Sequence, residues 1–248
     1  MTQLPKCFGI IPARYASTRF PGKPLAEILG KPMLWHVYNR ARRCPDLAQV
    51  VLATDDERIY SAARAHGVPA VITRKDHPSG TDRVLEAAEQ LDVPDDAVVV
   101  NIQGDEPALE PKMLSELVRP FASTDTRVTT LVRKADPANA EHHDVVTVTF
   151  SKSGRALYFS RSVLPYPREG VIDTVYDHIG MYAFRMDTLR TFVALGPGRL
   201  EKIEKLEQLR LLENDIPIHI VITEHKSMDV DRPEDLEGVS RFLAREKT

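Results

Sequence analysis

The feature that most constrains the fold is an alternation of short apolar runs with amphipathic runs through the first half of the chain. The apolar runs have the length of strands, and the runs between them have the spacing of helices. The apolar runs are residues 8–12, 50–54, 70–72 and 97–102, and the amphipathic runs are 32–44, 55–65 and 81–91. Strands that are apolar on both faces and separated by helices form a parallel sheet covered on both sides. This half therefore predicts an α/β fold.

The pattern changes after about Val128, where strand-like runs follow one another with short links. Short links predict antiparallel or mixed pairing. The strand-like runs are 128–132, 145–150, 156–159, 180–184 and 216–222, with helices predicted at 202–213 and 233–245. Because no low-complexity linker or internal repeat divides the chain, we expect one α/β domain over residues 1–248 with a β-rich region around 128–200.

Composition excludes several classes of partner. The chain has 33 Lys and Arg against 36 Asp and Glu, a net charge of −3. Such a balance gives no field for nucleic acid or a membrane surface, so phosphate recognition must rest on locally placed cations. Cys7 and Cys44 have no disulfide or metal spacing, and neither a signal peptide nor a membrane-spanning run is evident. We expect a cytoplasmic protein that neither binds nucleic acid nor enters a membrane.

The loop after the first predicted strand carries three cations within ten residues. Arg14, Arg19 and Lys23 are separated by small residues that include Ser17 and Gly22. In parallel α/β sheets ligands bind beyond the carboxyl ends of strands, and small residues let backbone amides approach an anion. Neither GxxxxGK[ST] nor GxGxxG follows a strand, which excludes a Walker loop and a dinucleotide fingerprint. The loop predicts a polyphosphate site of another kind, the alternative being a solvated basic surface loop.

Carboxylates occur at two further places that matter for a metal. Asp105 and Glu106 follow the fourth apolar run, where Gly104 permits close backbone approach, and Asp229 and Asp231 precede the last predicted helix. Mg²⁺ usually takes one or two carboxylates plus substrate phosphates, so Asp105 and one of the later aspartates can hold it. The alternative at both places is capping of the following helix.

The segment 76–83 joins a predicted strand to a helix. Ser79, Gly80 and Thr81 are expected to expose backbone amides at the helix N-terminus, where an anion or a base edge binds. Arg83 adds directional hydrogen bonds. The alternative for Thr81 is helix capping alone.

Eight short motifs occur in order along the chain, and together they resemble the 3-deoxy-D-manno-octulosonate (Kdo) cytidylyltransferase family. The resemblance covers about residues 8–242. The fifth and seventh motifs are the most specific to that family, whereas the first is shared with other sugar nucleotidyltransferases. The motifs are IPARYASTRFPGKPL at 11–25, ATDD at 53–56, SGTDR at 79–83, NIQGDEP at 101–107, ALYFSR at 156–161, HIGMY at 178–182, LEQLR at 206–210 and VDRPEDL at 230–236.

The resemblance implies a three-layer nucleotide-diphospho-sugar transferase fold, which is Rossmann-like, with a mostly parallel mixed sheet and a smaller β-rich dimerisation region. It also implies Mg²⁺-dependent transfer of CMP from CTP to the anomeric 2-hydroxyl of Kdo. The products are CMP-Kdo for lipopolysaccharide biosynthesis and pyrophosphate. The family is implied to act as a cytoplasmic homodimer.

The resemblance also assigns roles to individual residues. Four residues are implied to be catalytic: Arg14, Lys23, Asp105 and Asp231. The nucleotide is implied to contact Arg14, Ser17 and Lys23, with Ser79, Gly80, Thr81 and Arg83 near the cytidine. The ulosonate is implied to contact Arg19, Gln103, His178, Glu207 and Gln208, of which Arg19 and His178 suit a carboxylate electrostatically. The metal ligands are implied to be Asp105 and Asp231, which favours Asp231 over Asp229. Pattern alone would interpret His178 as structural and Glu207 and Gln208 as solvent-facing helix residues.

Three positions depart from the family pattern. Thr147 stands where Lys is usual, Asp144 where Asn is frequent and Arg232 where Thr is usual. The phosphate and metal motifs remain intact, so the departures leave open only the acceptor, for which a related ulosonate such as 8-amino-Kdo is the alternative. A non-catalytic nucleotide-binding module is the alternative of a different class.

Overall fold

The computed structural model describes residues 3–17, 19–136, 145–170 and 174–245, so Asp144 lies outside the described residues. The chain divides into two compact units. The terminal unit comprises residues 6–115 and 225–248, and the central unit comprises residues 116–224 with the first five residues. The expectation of one domain over 1–248 stays a prediction.

Helices and strands alternate through most of the described chain. The strands are β1 (Cys7–Ala13), β2 (Glu27–Ile28), β3 (Lys31–Pro32), β4 (Leu47–Thr54), β5 (Ala70–Ile72), β6 (Val98–Asn101), β7 (Val128–Ala135), β8 (Thr147–Phe150), β9 (Ala156–Ser160), β10 (Val175–Arg185) and β11 (Ile218–Ile222). The helices are α1 (Met33–Ala41), α2 (Glu57–Ala65), α3 (Gly80–Gln90), α4 (Pro111–Val118), α5 (Met186–Leu195), α6 (Arg199–Glu204), α7 (Leu209–Glu213) and α8 (Asp235–Arg245). No helix among the described residues is both long and apolar enough to cross a bilayer.

The terminal unit is built on four parallel strands in the order β6-β1-β4-β5. Every residue of β6 is buried, and β1 is buried at most of its positions. Strands with both faces covered need apolar side chains on both, which is why these runs are continuously apolar. The predicted parallel α/β arrangement of this half is confirmed. The carboxyl ends of β1 and β6 lie next to each other, because Ile10 pairs with Asn101.

The central unit contains the mixed pairing that the shorter links predicted. Strand β10 is antiparallel to β7 and β8, β8 is antiparallel to β9, and β11 is parallel to β7. Strand β10 begins at Val175, earlier than the sequence indicated, and carries a register shift between Ile179 and Tyr182. This irregularity lies beside His178.

The single helix predicted over 202–213 is wrong, because the structure has two short helices there. Lys205 adopts a left-handed conformation with φ 56° and ends α6. Ile203 is 65% exposed while Leu206 is buried, although a continuous helix would place both on one face. The chain therefore changes direction at Lys205, and the leucines at 206, 209 and 211 that follow it are buried.

Two helices were not predicted. Helix α5 follows β10 directly, and Arg185 at its N-cap makes no side-chain capping bond, so its start carries no capping signal. Helix α4 begins at Pro111, and proline at the first helical position is a start signal that the sequence did offer.

Candidate active site

Lys23 joins the loop after β1 to two aspartates distant in sequence. Its Nζ donates to Asp105 Oδ2 at 2.7 Å and to the carbonyl of Val230 at 2.8 Å, and it lies 3.6 Å from Asp231 Oδ1. The Lys23 side chain is only 13% exposed, so these contacts are partly shielded from water. The structure thus brings together one predicted phosphate cation and both predicted metal ligands.

The loop that carries Lys23 is held by a contact between Tyr15 and Gly22. Gly22 donates its N–H to the Tyr15 carbonyl at 2.9 Å, and its φ of 73° favours glycine. The Tyr15 ring lies 3.4 Å from the guanidinium of Arg58 on α2, a cation–π contact. A side chain at position 22 would meet this ring at 3.1 Å. The loop is therefore closed on itself and stacked against α2, which fixes the direction of Lys23.

Gly104 places Asp105 beside the first loop. A Cβ at this position would lie 2.7 Å from the carbonyl oxygen of Pro12, a distance that no side chain tolerates. The predicted close backbone approach at Gly104 is therefore confirmed. The carbonyl of Asp105 in turn accepts the N–H of Val230 at 2.9 Å. Backbone contacts thus fix the segments of both aspartates.

The carboxylate of Asp231 makes contacts that differ from those of a helix cap. Its Oδ2 accepts from Arg19 at 2.8 Å. The N–H groups of Asp231 and Arg232 are satisfied instead by Asp235 Oδ2, each at 2.8 Å. Helix α4 begins only at Pro111, so Asp105 does not cap it either. The capping alternative is wrong for both predicted metal ligands.

A third carboxylate lies within electrostatic reach of these two. Desolvation raises the pKa of Asp229, and the negative charges of Asp231 and Asp105 act in the same direction. Within the described ranges, no group of three or more His, Cys, Asp or Glu side chains has an arrangement suited to hold a metal ion. Asp105 and Asp231 both contact Lys23, and Asp229 lies within electrostatic reach of both.

The start of α3 differs from its prediction in one respect. Ser79, rather than Thr81, caps this helix, because Ser79 Oγ accepts the N–H groups of Thr81 at 3.1 Å and Asp82 at 3.3 Å. The expectation that the Thr81 amide is exposed to a ligand is wrong for that reason. Gly80 occupies the first helical position between the cap and Thr81.

Arg83 lies in the same segment and is almost fully buried. Its guanidinium pairs with Asp55 at 2.8 Å and also bonds Thr73 Oγ1. Desolvation lowers the pKa of Arg83, Asp55 opposes this change, and the positive charge of Arg14 lowers the pKa further. Arg14 therefore lies within electrostatic reach of Arg83, whose own charge is paired with Asp55.

The remaining predicted residues of the terminal unit are less constrained. Arg14 and Arg19 are exposed, and Gln103 is half-buried. Ser17 Oγ accepts the N–H of Phe20 at 3.4 Å. Arg19 also pairs with Asp231 at 2.8 Å.

His178 belongs to the central unit and is neutral. Desolvation lowers its pKa to about 3, and its ring packs at 5.1 Å from Phe159 and 5.3 Å from Tyr182. Its Nε2 lies 2.9 Å from Thr130 Oγ1, which itself donates to the carbonyl of Met181 at 2.8 Å. This network assigns the Nε2–H tautomer, with Nδ1 as the acceptor nitrogen. A neutral ring can contact a carboxylate through a hydrogen bond rather than through charge, and the expected role of His178 toward a carboxylate stays a prediction.

Glu207 and Gln208 lie between α6 and α7 rather than on a solvent-facing helix. Desolvation raises the pKa of Tyr182 well above its usual range, and the negative charge of Glu207 raises it further. Glu207 therefore lies near Tyr182, whose ring packs against His178. Gln208 is only 5% exposed, and its Nε2 has no hydrogen-bond partner among the described residues. A buried amide without a partner is a candidate ligand contact.

Two departures from the family pattern have a structural setting. Thr147 is fully buried, and its Oγ1 bonds the carbonyl of Ser162 at 2.7 Å and accepts the N–H of Leu164 at 3.1 Å. Thr147 thus holds the segment after β9 through backbone contacts. Arg232 is exposed at the bend before α8.

Comparison with known proteins identifies the family. Residues 8–220 match the family model described as cytidylyltransferase. The chain belongs to the cytidylyltransferase family. Its relatives include proteins named 3-deoxy-manno-octulosonate cytidylyltransferase from Nitratidesulfovibrio vulgaris, 59% identical over 96% of both chains, and from Oleidesulfovibrio alaskensis, 60% identical over 96% of both.

A solved structure extends the family assignment to the fold. The structure of CMP:2-keto-3-deoxy-manno-octonic acid synthetase complexed with CTP has a TM-score of 0.92 to this cytidylyltransferase family member, with 40% identity over 97% of this chain and 99% of that one. The predicted fold class, a mostly parallel mixed α/β sheet with helices, is thereby confirmed. The chain is a nucleotidyltransferase of this fold.

Several residues that shape the site were not predicted. Tyr15 and Arg58 hold the first loop, and Tyr182 links His178 to Glu207. Tyr15 is an aromatic residue within a loop of small and basic residues, and this was a sequence signal for its contact with Arg58. Tyr182 lies four residues after His178 in one motif, and this was a sequence signal for their contact. The register shift in β10 that lies between them could not be predicted from the sequence.

Proposed function

We propose that the chain transfers CMP from CTP to the anomeric hydroxyl of Kdo, which gives CMP-Kdo for lipopolysaccharide biosynthesis and releases pyrophosphate. The observation that carries this proposal is the convergence of Lys23 with Asp105 and Asp231. The names of the relatives and the CTP complex of the structural neighbour support the same substrates.

In this proposal the cations of the terminal unit bind the triphosphate. Phosphoryl transfer needs in-line positioning and neutralisation of charge rather than a covalent partner. Arg14 and Lys23 stabilise the negative charge that develops on the departing pyrophosphate. Ser17 and the segment around Ser79, Gly80, Thr81 and Arg83 bind the rest of the nucleotide.

We propose that Asp105 and Asp231 hold Mg²⁺. The donor chemistry fits, because Mg²⁺ prefers carboxylate oxygens and commonly takes only one or two from the protein, with substrate phosphates supplying others. Charge fits as well, since Asp229 adds a third carboxylate while Lys23 and Arg19 supply only two positive charges nearby. When bound, the ion supplies charge neutralisation at the phosphate and lowers the pKa of a coordinated hydroxyl.

We assign acceptor recognition to Arg19, Gln103, His178, Glu207 and Gln208. An ulosonate presents a carboxylate and several hydroxyls, so it needs one cation and several neutral hydrogen-bonding groups. Arg19 supplies the positive charge, while neutral His178 and the amide of Gln208 supply directional bonds. A homodimeric state and a cytoplasmic location are further parts of the proposal that rest on the resemblance alone.

Pyrophosphate release tests the proposed function directly. The chain is incubated with CTP, with and without Kdo and Mg²⁺, and the reaction is repeated with UTP and GTP. We expect release only when CTP, Kdo and Mg²⁺ are all present. Faster pyrophosphate release with 8-amino-Kdo than with Kdo would mean that 8-amino-Kdo is the acceptor. Binding of CTP without pyrophosphate release on any acceptor would indicate a non-catalytic module.

A further inference from the structure

The segment that carries Glu207 and Gln208 joins two helices that are tied to each other by polar contacts. It links α6 to α7, both of which are single or double turns of helix. Loops usually carry more motion than the elements they join. Here Glu201 on α6 and Arg210 on α7, which lie on either side of the segment in sequence, make a buried polar contact with each other, and Gln208 Nε2 has no hydrogen-bond partner among the described residues.

Arg210, two residues after Gln208, is the centre of these contacts. Its guanidinium forms a bidentate pair with Glu201, from Nε to Oε2 at 2.8 Å and from Nη2 to Oε1 at 2.7 Å. Nη1 donates to the carbonyl of Phe192 at 3.0 Å, and the group lies 4.2 Å from the centre of the Phe192 ring. The side chain is 3% exposed. Arg210 thus ties α7 to α6 and to α5 at once.

Glu201 completes the connection on the other side of the segment. Its Oε2 also accepts the N–H of Gly198, which precedes α6. A second carboxylate, that of Glu213 at the end of α7, accepts the N–H groups of Arg199 at 3.1 Å and Leu200 at 3.0 Å. Both ends of α7 are therefore tied to the first turn of α6, and the segment 205–208 joins the two helices.

A buried ion pair of this kind is a costly way to stabilise a fold. Desolvation of the two charges offsets much of their attraction, and apolar replacements of similar volume are frequently as stable. The bidentate geometry instead fixes direction, because the planar guanidinium accepts few alternative arrangements. A pair with these properties suits a role in setting the position of its neighbours.

We propose that Arg210 and Glu201 are positioning residues that hold the Gln208 amide in the orientation that binds the acceptor sugar. The inference rests on the proposed function, since it takes the ulosonate as the ligand of Gln208. The Nε2 of Gln208 donates to an oxygen of that sugar, a carboxylate or a hydroxyl. Arg210 itself contacts no substrate and acts through the segment it fixes.

The test separates acceptor binding from nucleotide binding. Arg210→Lys keeps the charge but loses the bidentate pair, and we expect the KM for Kdo to rise about tenfold or more while the KM for CTP changes less than about twofold. Glu201→Gln keeps the shape of that side chain and leaves the bond from Arg210 Nη1 to the Phe192 carbonyl in place, and it provides the same measurement if the lysine variant does not fold. Equal increases in both KM values would overturn the proposal.

A double-mutant cycle with Gln208→Ala shows whether Arg210 acts through that residue. We expect each single variant to lower kcat/KM for Kdo and the double variant to be no worse than Gln208→Ala, because two residues that act through one contact are not additive. Losses in kcat/KM that multiply in the double variant, or wild-type kinetics in Gln208→Ala, would overturn the proposal.

Arg185 offers a matched control in the same unit. It also bonds backbone carbonyls, of Thr126 and Ser123, and lies over the ring of Phe121. Arg185→Lys is expected to lower stability with both KM values unchanged within about twofold, and a selective rise in the KM for Kdo there would overturn the specific role of Arg210. A wild-type chain that does not turn over Kdo refutes the proposed function, and this inference with it, before any variant is compared.

Discussion

Lys23 and Asp105 are joined by a 2.7 Å hydrogen bond across 82 residues of sequence. They meet because β1 and β6 are parallel neighbours, so the segments that follow these strands leave the sheet at the same edge. Gly104 lets the second segment approach the first to backbone contact. The centre of the candidate site is thus a consequence of strand order and one small residue.

The first prediction concerns the charge of Asp105. Asp105→Asn keeps the size of the side chain and an oxygen that can accept from Lys23, but it removes the negative charge that we assign to Mg²⁺. We expect kcat/KM for CTP to fall by about 10²-fold or more, as loss of a metal or transition-state contact does. The measurement is Mg²⁺-dependent pyrophosphate release, with unfolding followed in parallel.

Asp187 provides the control for that substitution. It pairs with Arg127 at 3.1 Å, and both side chains are about half exposed. Asp187→Asn should therefore leave activity unchanged and alter stability by less than about 1 kcal/mol. Wild-type release by Asp105→Asn would refute the assignment of this carboxylate to the metal.

The second prediction concerns the exposed cation of the first loop. Arg14→Ala removes a charge that we assign to the triphosphate, and a charge-assisted bond contributes about 1.5–3 kcal/mol, so we expect kcat/KM for CTP to fall roughly 10- to 100-fold. Folding stability should hardly change, because Arg14 is exposed. Arg64 on α2 is also exposed, and Arg64→Ala is the control that should retain wild-type kinetics. If Arg14→Ala and Arg64→Ala had the same kcat/KM for CTP, the assignment of Arg14 to the phosphate site would be wrong.

The third prediction tests the close approach at Gly104. Gly104→Ala places a methyl group against the Pro12 carbonyl, so one of the two segments must move. We expect unfolding to become easier by about 1–3 kcal/mol and activity to fall, because Asp105 moves with its backbone. Gly238, within α8, has 3.6 Å to its nearest neighbour, and Gly238→Ala should be neutral or stabilising. Chemical denaturation measures the free energy of unfolding of both variants. Equal values would contradict the close contact between position 104 and the Pro12 carbonyl.

Much of the terminal unit could be predicted because its signals are local or follow from parallel topology. The apolar run before Asp105 could only be a buried strand, and a carboxylate after such a strand lies at the ligand edge. That Asp231 lies close to Asp105 could not be predicted in this way, because no sequence spacing connects residue 231 with residue 105. That pairing came from the family resemblance, and the backbone bond between Asp105 and Val230 shows its physical basis.

The central unit was less predictable because its key features depend on tertiary packing. The left-handed Lys205 divides what the sequence presents as one helix, and lysine gives no sign of that conformation. Gln208 follows that break at the start of α7 and is 5% exposed. The charge state of His178 likewise depends on Phe159 and Tyr182, which reach it from two other positions along the chain.

The last prediction follows from the pKa of His178. An unfolded histidine titrates near pH 6.5, whereas the folded ring has a pKa of about 3, so below pH 6.5 the unfolded chain takes up a proton that the native ring cannot. Above pH 6.5 the ring is neutral in both states and contributes no pH dependence. The free energy of unfolding should therefore fall with acidification, by at most about 2 kcal/mol from this residue between pH 6.5 and 5.

His178→Asn tests this by removing the titrating group. Urea unfolding is measured at intervals from pH 8 to 5 in both proteins, and the variant should lose less stability on acidification than the wild type. Desolvation also lowers the pKa of His219, but that residue is present in both proteins and cancels in the difference. Parallel stability curves would mean that the ring of His178 protonates in the native state, and its role as a neutral hydrogen-bonding group would have to be abandoned.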